Sequence, residues 1–465
     1  MGHLDKGQSV EFKSLISEFS SLFSDTPTCT GLIEHDIDVG DSKPIRQRFY
    51  RVSPDKRKSL DEGVRYLLEN GLAKPSYSSW ASPCLLVKKS DNTFRFCTDY
   101  RKVNAVTKAD SFPLPRIEDC VDQVGSARYV SKFDLLKGYY QVAITPRAQE
   151  ISAFITPSGL YQYTRMSFGL RNAPSSFQRL MNHVVAGLEG CAVYLDDVVV
   201  YADTWAIHLA RICSLFERLA AATLTVNLAK CEFAQATVVY LGKVVGQGQV
   251  RTVRAKVLAI DKFPPPTTKK EVMRFLGMIG YYRSFCCNFS TVVAPLTNLL
   301  KSSVKFVWAA DCQQAFENAK LLLSSAPVLA APKLDQPFQM QVDASLVGAG
   351  AVLIQKDAQD IGRPVCYFSR KFNRHQLNYS TIEKEALALI WGLQHFEVYV
   401  GGGMHPVVVY TDHNPLTFLS SLQNANQRLM RWALFLQPYR LSIRHIRGTE
   451  NVLADALSRA PDESM

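Results

Sequence analysis

Two groups of acidic residues in this sequence are of the type that metal-assisted phosphoryl chemistry uses. The first is Asp134, Asp196 and Asp197. Asp134 closes the strand-like run Y-V-S-K-F, and Asp196–Asp197 sit inside C-A-V-Y-L-D-D-V-V-V-Y-A. In that run they are the turn-forming residues, so the pattern predicts a hairpin with its turn at Asp196–Asp197. Paired carboxylates between apolar arms repel unless something cationic separates them. Phosphoryl transfer by two divalent ions needs several carboxylates converging on metals about 4 Å apart. A D-D pair by itself is more often a solvated turn, because short motifs match widely.

The second group is Asp343, Glu385, Asp412 and Asp455. Asp343 follows Phe338, Met340 and Val342, and strand alternation turns it away from those apolar side chains. Glu385 has Ile382 a turn before it and Leu389 a turn after, so on a helix it borders the buried stripe. An unpaired carboxylate there is costly. Asp412 ends the apolar run V-V-V-Y-T, at the strand end where ligands bind in such sheets. Asp455 lies in A-D-A-L-S-R. Taken singly, each reads equally well as a cap or a solvated acid.

The elements that must position these acids follow from periodicity. A short amphipathic helix carries Phe12, Leu15, Ile16, Phe19, Leu22 and Phe23. A strand pair is predicted over Cys84–Lys88 and Thr93–Thr98, turning at S-D-N. From Asn172, Phe177, Leu180, Met181, Val184, Val185 and Leu188 recur at helical spacing, with Pro174 in the first turn. The run F-P-P-P-T-T marks a boundary and opens a helix with a capping box, Thr268 to Glu271. That helix buries Val272, Phe275, Leu276 and Ile279, with Lys269, Lys270 and Arg274 largely opposite. Asp311–Leu323 is again helical. Beyond Pro337 come three strands, a helix over Ile382–Phe396, the strand before Asp412, more helix, the strand R-L-S-I-R-H-I and a short helix over Leu453–Leu457. This order predicts a mixed sheet with helices on its faces.

Bulk properties narrow the class. With 465 residues, 47% hydrophobic and 20% charged, the chain has the composition of a globular protein of more than one domain. No window approaches an uninterrupted apolar span, so no membrane segment is expected. The N-terminus lacks an apolar signal core, and Lys6 stands where a myristoylation motif would carry Ser or Thr. The 11 cysteines are odd in number and never spaced C-x-x-C, which reads as reduced thiols. A formal charge of +11 points to a polyanionic partner.

The blocks F-D-L-L-K-G-Y-Y-Q-V, M-S-F-G-L-R-N-A-P-S-S-F-Q and V-Y-L-D-D-V-V-V-Y occur in the order and spacing of reverse transcriptases. The chain resembles the gypsy-type LTR-retrotransposon polymerase, whose usual forms are LDL-x-x-GYHQI, MPFGLxNAPxxFQ and YLDDI. R-F-C-T-D-Y-R-K-V-N, Y-L-G-K-V-V and F-L-G-M-I-G-Y-Y-R-S-F match as well. The later blocks V-D-A-S, E-K-E-A-L-A-L, Y-T-D-H and N-V-L-A-D-A-L-S-R match the D-E-D-D arrangement of ribonuclease H.

The resemblance implies an α+β right-hand polymerase of fingers, palm and thumb, followed by an α/β ribonuclease H-like domain with a mixed five-stranded sheet. The expected divisions are an N-terminal extension 1–40, fingers and palm 41–250, thumb 251–333 and ribonuclease H 334–465. It implies an RNA- and DNA-directed DNA polymerase coupled to cleavage of RNA in RNA–DNA hybrids. Asp134 and Asp196 would bridge two Mg²⁺ ions and Asp197 would complete the set. Asp343, Glu385, Asp412 and Asp455 would hold two more, with Mn²⁺ as a substitute. Glu385 is preferred to Glu383 because E-x-x-A-L starts there. Arg95 and Lys88 would clamp the incoming triphosphate, since a guanidinium suits bidentate phosphate contact. Tyr139 would be the aromatic gate against a 2′-OH, Phe168 would shape the nucleotide pocket, and Gly242 belongs to the expected primer grip over Tyr240–Val245. The basic face of the thumb helix would track the duplex backbone.

Implied partners are an RNA template, a DNA primer, an RNA–DNA hybrid and deoxynucleoside triphosphates, with no membrane and with a dimer allowed. The implied location is a cytoplasmic retrotransposon particle, with a later nuclear stage allowed and no secretion. Protease and integrase motifs are missing, so a segment of a longer polyprotein is expected. Several positions depart from the family pattern: Phe133 for Leu, Tyr140 for His beside a retained Gln141, Ser167 for Pro and Lys243 for His. The segment I-R-H-I-R-G-T-E-N is shorter than the loop carrying a catalytic His in cellular ribonucleases H, which leaves His445 a structural role. Two other readings compete. A decayed copy that binds nucleic acid without catalysis is disfavoured by the intact acids. An RNA-copying RNA polymerase is disfavoured by the ribonuclease H blocks and the aromatic gate.

Overall fold

The computed structural model describes residues 4–88, 94–286, 289–324, 328–402, 405–412 and 427–446. The chain divides into two compact units, Met1–Tyr240 and Leu241–Met465.

In the first unit a four-stranded antiparallel sheet runs Glu232–Gln235, Tyr129–Asp134, Asp197–Ala202, Cys191–Tyr194 in spatial order. Alternation along Tyr129–Asp134 sends Ser131 and Phe133 to one face and Lys132 and Asp134 to the other. Phe133 is fully buried between Phe216 and Phe233, at ring-centroid distances of 5.6 and 5.7 Å. The N-terminal helix Lys6–Glu18 and the turn after it extend that aromatic cluster. Phe12 meets Phe233 at 4.9 Å, and Phe19 and Phe23 meet Phe216 at 5.5 and 5.7 Å. The N-terminal segment is thus built into the core beneath the strand that carries Asp134.

Helices Ala173–Val184 and Trp205–Ala221 complete this core. The first ends earlier than its apolar spacing suggests, and Val185 and Leu188 pack from the connection that follows. A second, five-stranded sheet orders Ala73–Pro75, Gly159–Tyr163, Phe154–Thr156, Ser82–Lys88 and Phe94–Thr98. The predicted S-D-N turn lies outside the described residues.

The second unit opens with the strand pair Lys243–Gly246 and Gln249–Thr252, joined at its edge by Leu329–Ala330. Helices Arg254–Asp261, Lys269–Gly280, Ala294–Leu299 and Ala310–Ser324 follow the strand pair. Rings of Phe263, Phe275, Phe316 and Trp308 pack in series among them. Only half of the predicted capping box forms. Thr268 accepts the Glu271 N–H at 3.3 Å, but the Glu271 carboxylate reaches past Thr268 to the N–H and hydroxyl of Thr267.

A mixed five-stranded sheet ends the described chain, ordered Gly362–Lys371, Gly348–Lys356, Gln339–Ala344, Val407–Thr411, Leu441–His445. Its first two pairings are antiparallel and the last two parallel. Helix Thr381–His395 packs on it closely enough that a Cβ on Gly392 would meet Ala351 Cβ at 3.1 Å and Met340 Sδ at 3.2 Å. Glycine in a helix interior costs about 1 kcal/mol relative to alanine; here it allows the close approach that brings Glu385 beside the sheet. The predicted helix over Leu453–Leu457 lies outside the described residues.

Candidate active sites

In the first unit, register brings the acids together. Asp197 is the direct cross-strand partner of Asp134, so the two project from the same sheet face. The hairpin turn is one residue earlier than expected: it consists of Leu195 and Asp196, while Asp197 already pairs with Tyr194 in the ladder. Leu195 has φ +56°, left-handed, as the first position of a tight hairpin turn often requires. Burial pushes the Asp196 carboxyl above its ordinary range, and the charges of Asp197 and Asp134 push the same way against a smaller pull from Lys230.

Two lysines answer the cation requirement, and neither stood out in the sequence. Lys132 Nζ lies 3.0 Å from Asp197 Oδ1, and Lys230 Nζ lies 3.3 Å from Asp134 Oδ1. Lys132 was visible in principle, because a residue two before Asp134 on a strand must share its face. Lys230 comes from a distant turn and had no local signal.

The backbone after Asp134 is held by Gln141, which is fully buried. Its Nε2 donates to the carbonyl oxygens of Leu136 and Thr225, both at 2.9 Å, and its Oε1 accepts the Thr225 N–H at 2.7 Å. Asn227 N–H in turn donates to the Asp134 carbonyl at 2.8 Å.

Tyr139 stands between Phe168, at 4.8 Å, and Phe177, at 5.4 Å. Burial, then the charge of Asp196, pushes its hydroxyl up to about 12. Phe168 keeps 39% of its surface exposed, so the pair forms an open aromatic ledge beside the acids. Lys88 and Arg95 are both exposed and lie on adjacent strands. Arg95 pairs with Val87 and Lys88 with Phe94, so the two basic side chains leave opposite faces of the hairpin. Phe96, on the Lys88 face, packs against Gly63 and Phe154. Gly242 has φ +78°, and a Cβ there would meet Lys256 Nζ at 2.8 Å.

In the second unit Asp343, Glu385 and Asp412 each offer a carboxylate oxygen, and these oxygens lie within 4.8 Å of one another. Among the described residues this is the one such group; the acids of the first unit do not reach that closeness. Asp343 and Glu385 are buried and Asp412 is half-buried. Glu385 Oε1 also accepts the Ala344 N–H at 3.2 Å, tying the helix to the strand of Asp343. Glu383 does different work: it caps its own helix through Ser380 and pairs with Arg428 at 2.6 Å. His445 Nε2 meets the backbone oxygen of Asp412 at 3.2 Å. Asp455 lies outside the described residues. Oxygen-only donor sets of this kind suit a hard divalent cation such as Mg²⁺.

Residues 87–245 match the reverse transcriptase (RNA-dependent DNA polymerase) family, and residues 333–439 match the RNase H-like domain found in reverse transcriptase. Relatives include the retrovirus-related Pol polyprotein from transposon 297 of Drosophila melanogaster, 36% identical over 99% of this chain and 44% of its own length. The Tf2-3 transposon polyprotein of Schizosaccharomyces pombe is 33% identical over 90% of this chain and 32% of its own. The chain carries a reverse transcriptase domain and a ribonuclease H-like domain, and its homologues are Pol polyproteins of gypsy/Tf1-type LTR transposons. It spans less than half the length of these polyproteins. The reverse transcriptase and ribonuclease H folds are also those of the foamy viral protease-reverse transcriptase. Its complex with dsDNA has a TM-score of 0.84 at 22% identity, covering 96% of this chain and 95% of that one. Its complex with an RNA/DNA hybrid has a TM-score of 0.80, covering 100% and 63%.

Proposed function

We propose that this chain copies RNA, and then DNA, into DNA at the Asp134–Asp196–Asp197 site and cleaves the RNA of RNA–DNA hybrids at the Asp343–Glu385–Asp412 site, with Asp455 as a fourth acid there. The observation that carries this reading is the convergence of three carboxylates from two strand ends and a helix in the ribonuclease H domain, alongside the paired acids of the reverse transcriptase hairpin.

In the polymerase site Asp134 and Asp196 would hold two Mg²⁺ ions, with Asp197 beside them; in the ribonuclease H site the buried pair Asp343 and Glu385 would do so with Asp412. Mn²⁺ meets the same oxygen donors. When bound, such ions lower the pKa of a primer 3′-OH or of water and offset charge on the phosphate. The chain's own contribution is positional. Register aligns Asp134 with Asp197, Gln141 fixes the backbone after Asp134, and Arg95, exposed on its hairpin, would pair with a triphosphate. Tyr139, flanked by Phe168 and Phe177, presents a ring that would exclude a ribose 2′-OH. Lys88 would meet phosphate only from the opposite face, and Gly242 would let a primer backbone approach.

The test is primer extension on an RNA template with deoxynucleotides and Mg²⁺, run beside cleavage of a labelled hybrid. Asp196→Asn should abolish extension and spare cleavage, and Asp343→Asn should do the reverse. Template binding without extension under either metal would instead indicate a nucleic-acid-binding protein without polymerase activity.

A further inference from the structure

Gln178 is fully buried in helix Ala173–Val184, and its amide is spent on the hairpin that carries Asp196. Its Oε1 accepts the Leu195 N–H at 2.7 Å. Its Nε2 donates to the Val193 carbonyl at 3.3 Å and to Asn182 Oδ1 at 2.8 Å. One side chain therefore grips the hairpin on both sides of Tyr194, including the first residue of the turn that carries Asp196.

The residue it grips is strained. Leu195 has φ +56°, where a side chain crowds its own backbone and where glycine is the usual occupant. Strain of this kind persists only where the surroundings over-determine it. With a hydrocarbon in place of the amide, the Leu195 N–H and Val193 carbonyl would lose their buried partner, and the turn would relax toward a conformation that leucine prefers. Asp196, the next residue, would move with it.

We propose that Gln178 is a positioning residue for nucleotide addition: it holds Leu195 left-handed and so presents the Asp196 carboxylate beside Asp134 and Asp197. The inference rests on the reading of Asp196 as a metal ligand.

Gln178→Met keeps the length of the side chain and removes both hydrogen-bonding functions. It should lower kcat for primer extension on the order of tenfold. The Mg²⁺ concentration for half-maximal rate should rise, while KM for deoxynucleotide and the rate of hybrid cleavage stay unchanged. Adding Leu195→Gly to Gln178→Met should recover much of the lost rate, because glycine takes a positive φ without strain. A general packing defect would not be rescued this way. An unchanged kcat, or a loss that Leu195→Gly does not relieve, overturns the proposal. Should Gln178→Met not fold, amide exchange at Leu195 in the unsubstituted enzyme, read by NMR on isotope-labelled leucine, serves instead. Protection like that of the neighbouring strands supports the contact, and fast exchange overturns it. Asp196→Asn in the same extension assay separates the two ideas. If it extends normally, the metal-ligand reading itself fails. If it is inactive while Gln178→Met behaves as the parent, only the positioning role fails.

Discussion

Arg95 and Lys88 show how much one residue of register matters. Both are long, basic and exposed on the same hairpin, and composition does not distinguish them. Cross-strand pairing separates them: Arg95 shares one face with exposed Val87 and Lys88 the opposite face with exposed Phe94, so a nucleotide on one face meets only one of them, and the family motif R-F-C-T-D-Y-R-K-V-N begins at Arg95. Arg95→Ala should therefore raise KM for deoxynucleotide by about tenfold or more, as expected for a charge-assisted phosphate contact worth about 1.5–3 kcal/mol. Lys88→Ala should change it by less than about twofold. Steady-state kinetics on the two variants check this, and the opposite ranking would reverse the assignment. Lys230 belongs to the same scale. Its side chain is 64% exposed, so its pair with Asp134 adds little to stability, and its charge matters mainly to the carboxylates beside it.

Helix Trp205–Ala221 is tied to the strand of Asp134 through His208, whose Nε2 meets Ser131 Oγ at 2.8 Å. Across the same unit, His35 Nδ1 meets Ser176 Oγ at 2.8 Å. Burial pushes both imidazoles down from 6.5 to about 4, against the pull of Asp36 and Asp110 at His35 and with a small push from Arg211 at His208. The folded values lie below the unfolded ones, so these groups leave stability intact above pH 6.5. As pH falls from there toward 4, the unfolded chain takes up protons that the folded one refuses, and stability is lost. The loss approaches about 3 kcal/mol per histidine. Urea unfolding of the enzyme should show a lower midpoint at pH 5 than at pH 7, and His208→Phe should shrink that difference. An identical pH slope in the variant would rule out His208 as a source.

At the scale of the whole chain, a formal charge of +11 favours a polyanion, and binding to a primer–template duplex should weaken steeply with salt. The helix Lys269–Gly280 divides that role unevenly. Lys269 Nζ donates to the carbonyl oxygens of Lys301 and Val304 at 2.8 and 2.6 Å, so it closes a loop, whereas Lys270 is exposed. Lys270→Ala should reduce the slope of log affinity against log salt by about one, and Lys269→Ala should leave it unchanged. Fluorescence anisotropy across a salt series measures both. Equal slopes for the two variants would mean that this helix does not track the duplex.

The sequence alone was enough for the two domains and most of the elements. Acids at strand ends and in a helix stripe, the apolar hairpin arms and the run of three strands, helix and strand were legible because side-chain periodicity is a local property of the chain. The choice of Glu385 over Glu383 rested on the family motif E-x-x-A-L, which starts at Glu385, and the structure gives Glu383 to a helix cap and Arg428. Tertiary structure decided what depends on partners distant in sequence. It placed the turn on Leu195–Asp196, because Gln178 supplies the bond that a left-handed leucine needs. It matched Lys230 to Asp134, put the N-terminal aromatics under Phe133, and turned Lys269 inward. Hydrogen bonds and ion pairs between remote segments leave no period in a sequence, so only the folded chain could assign them.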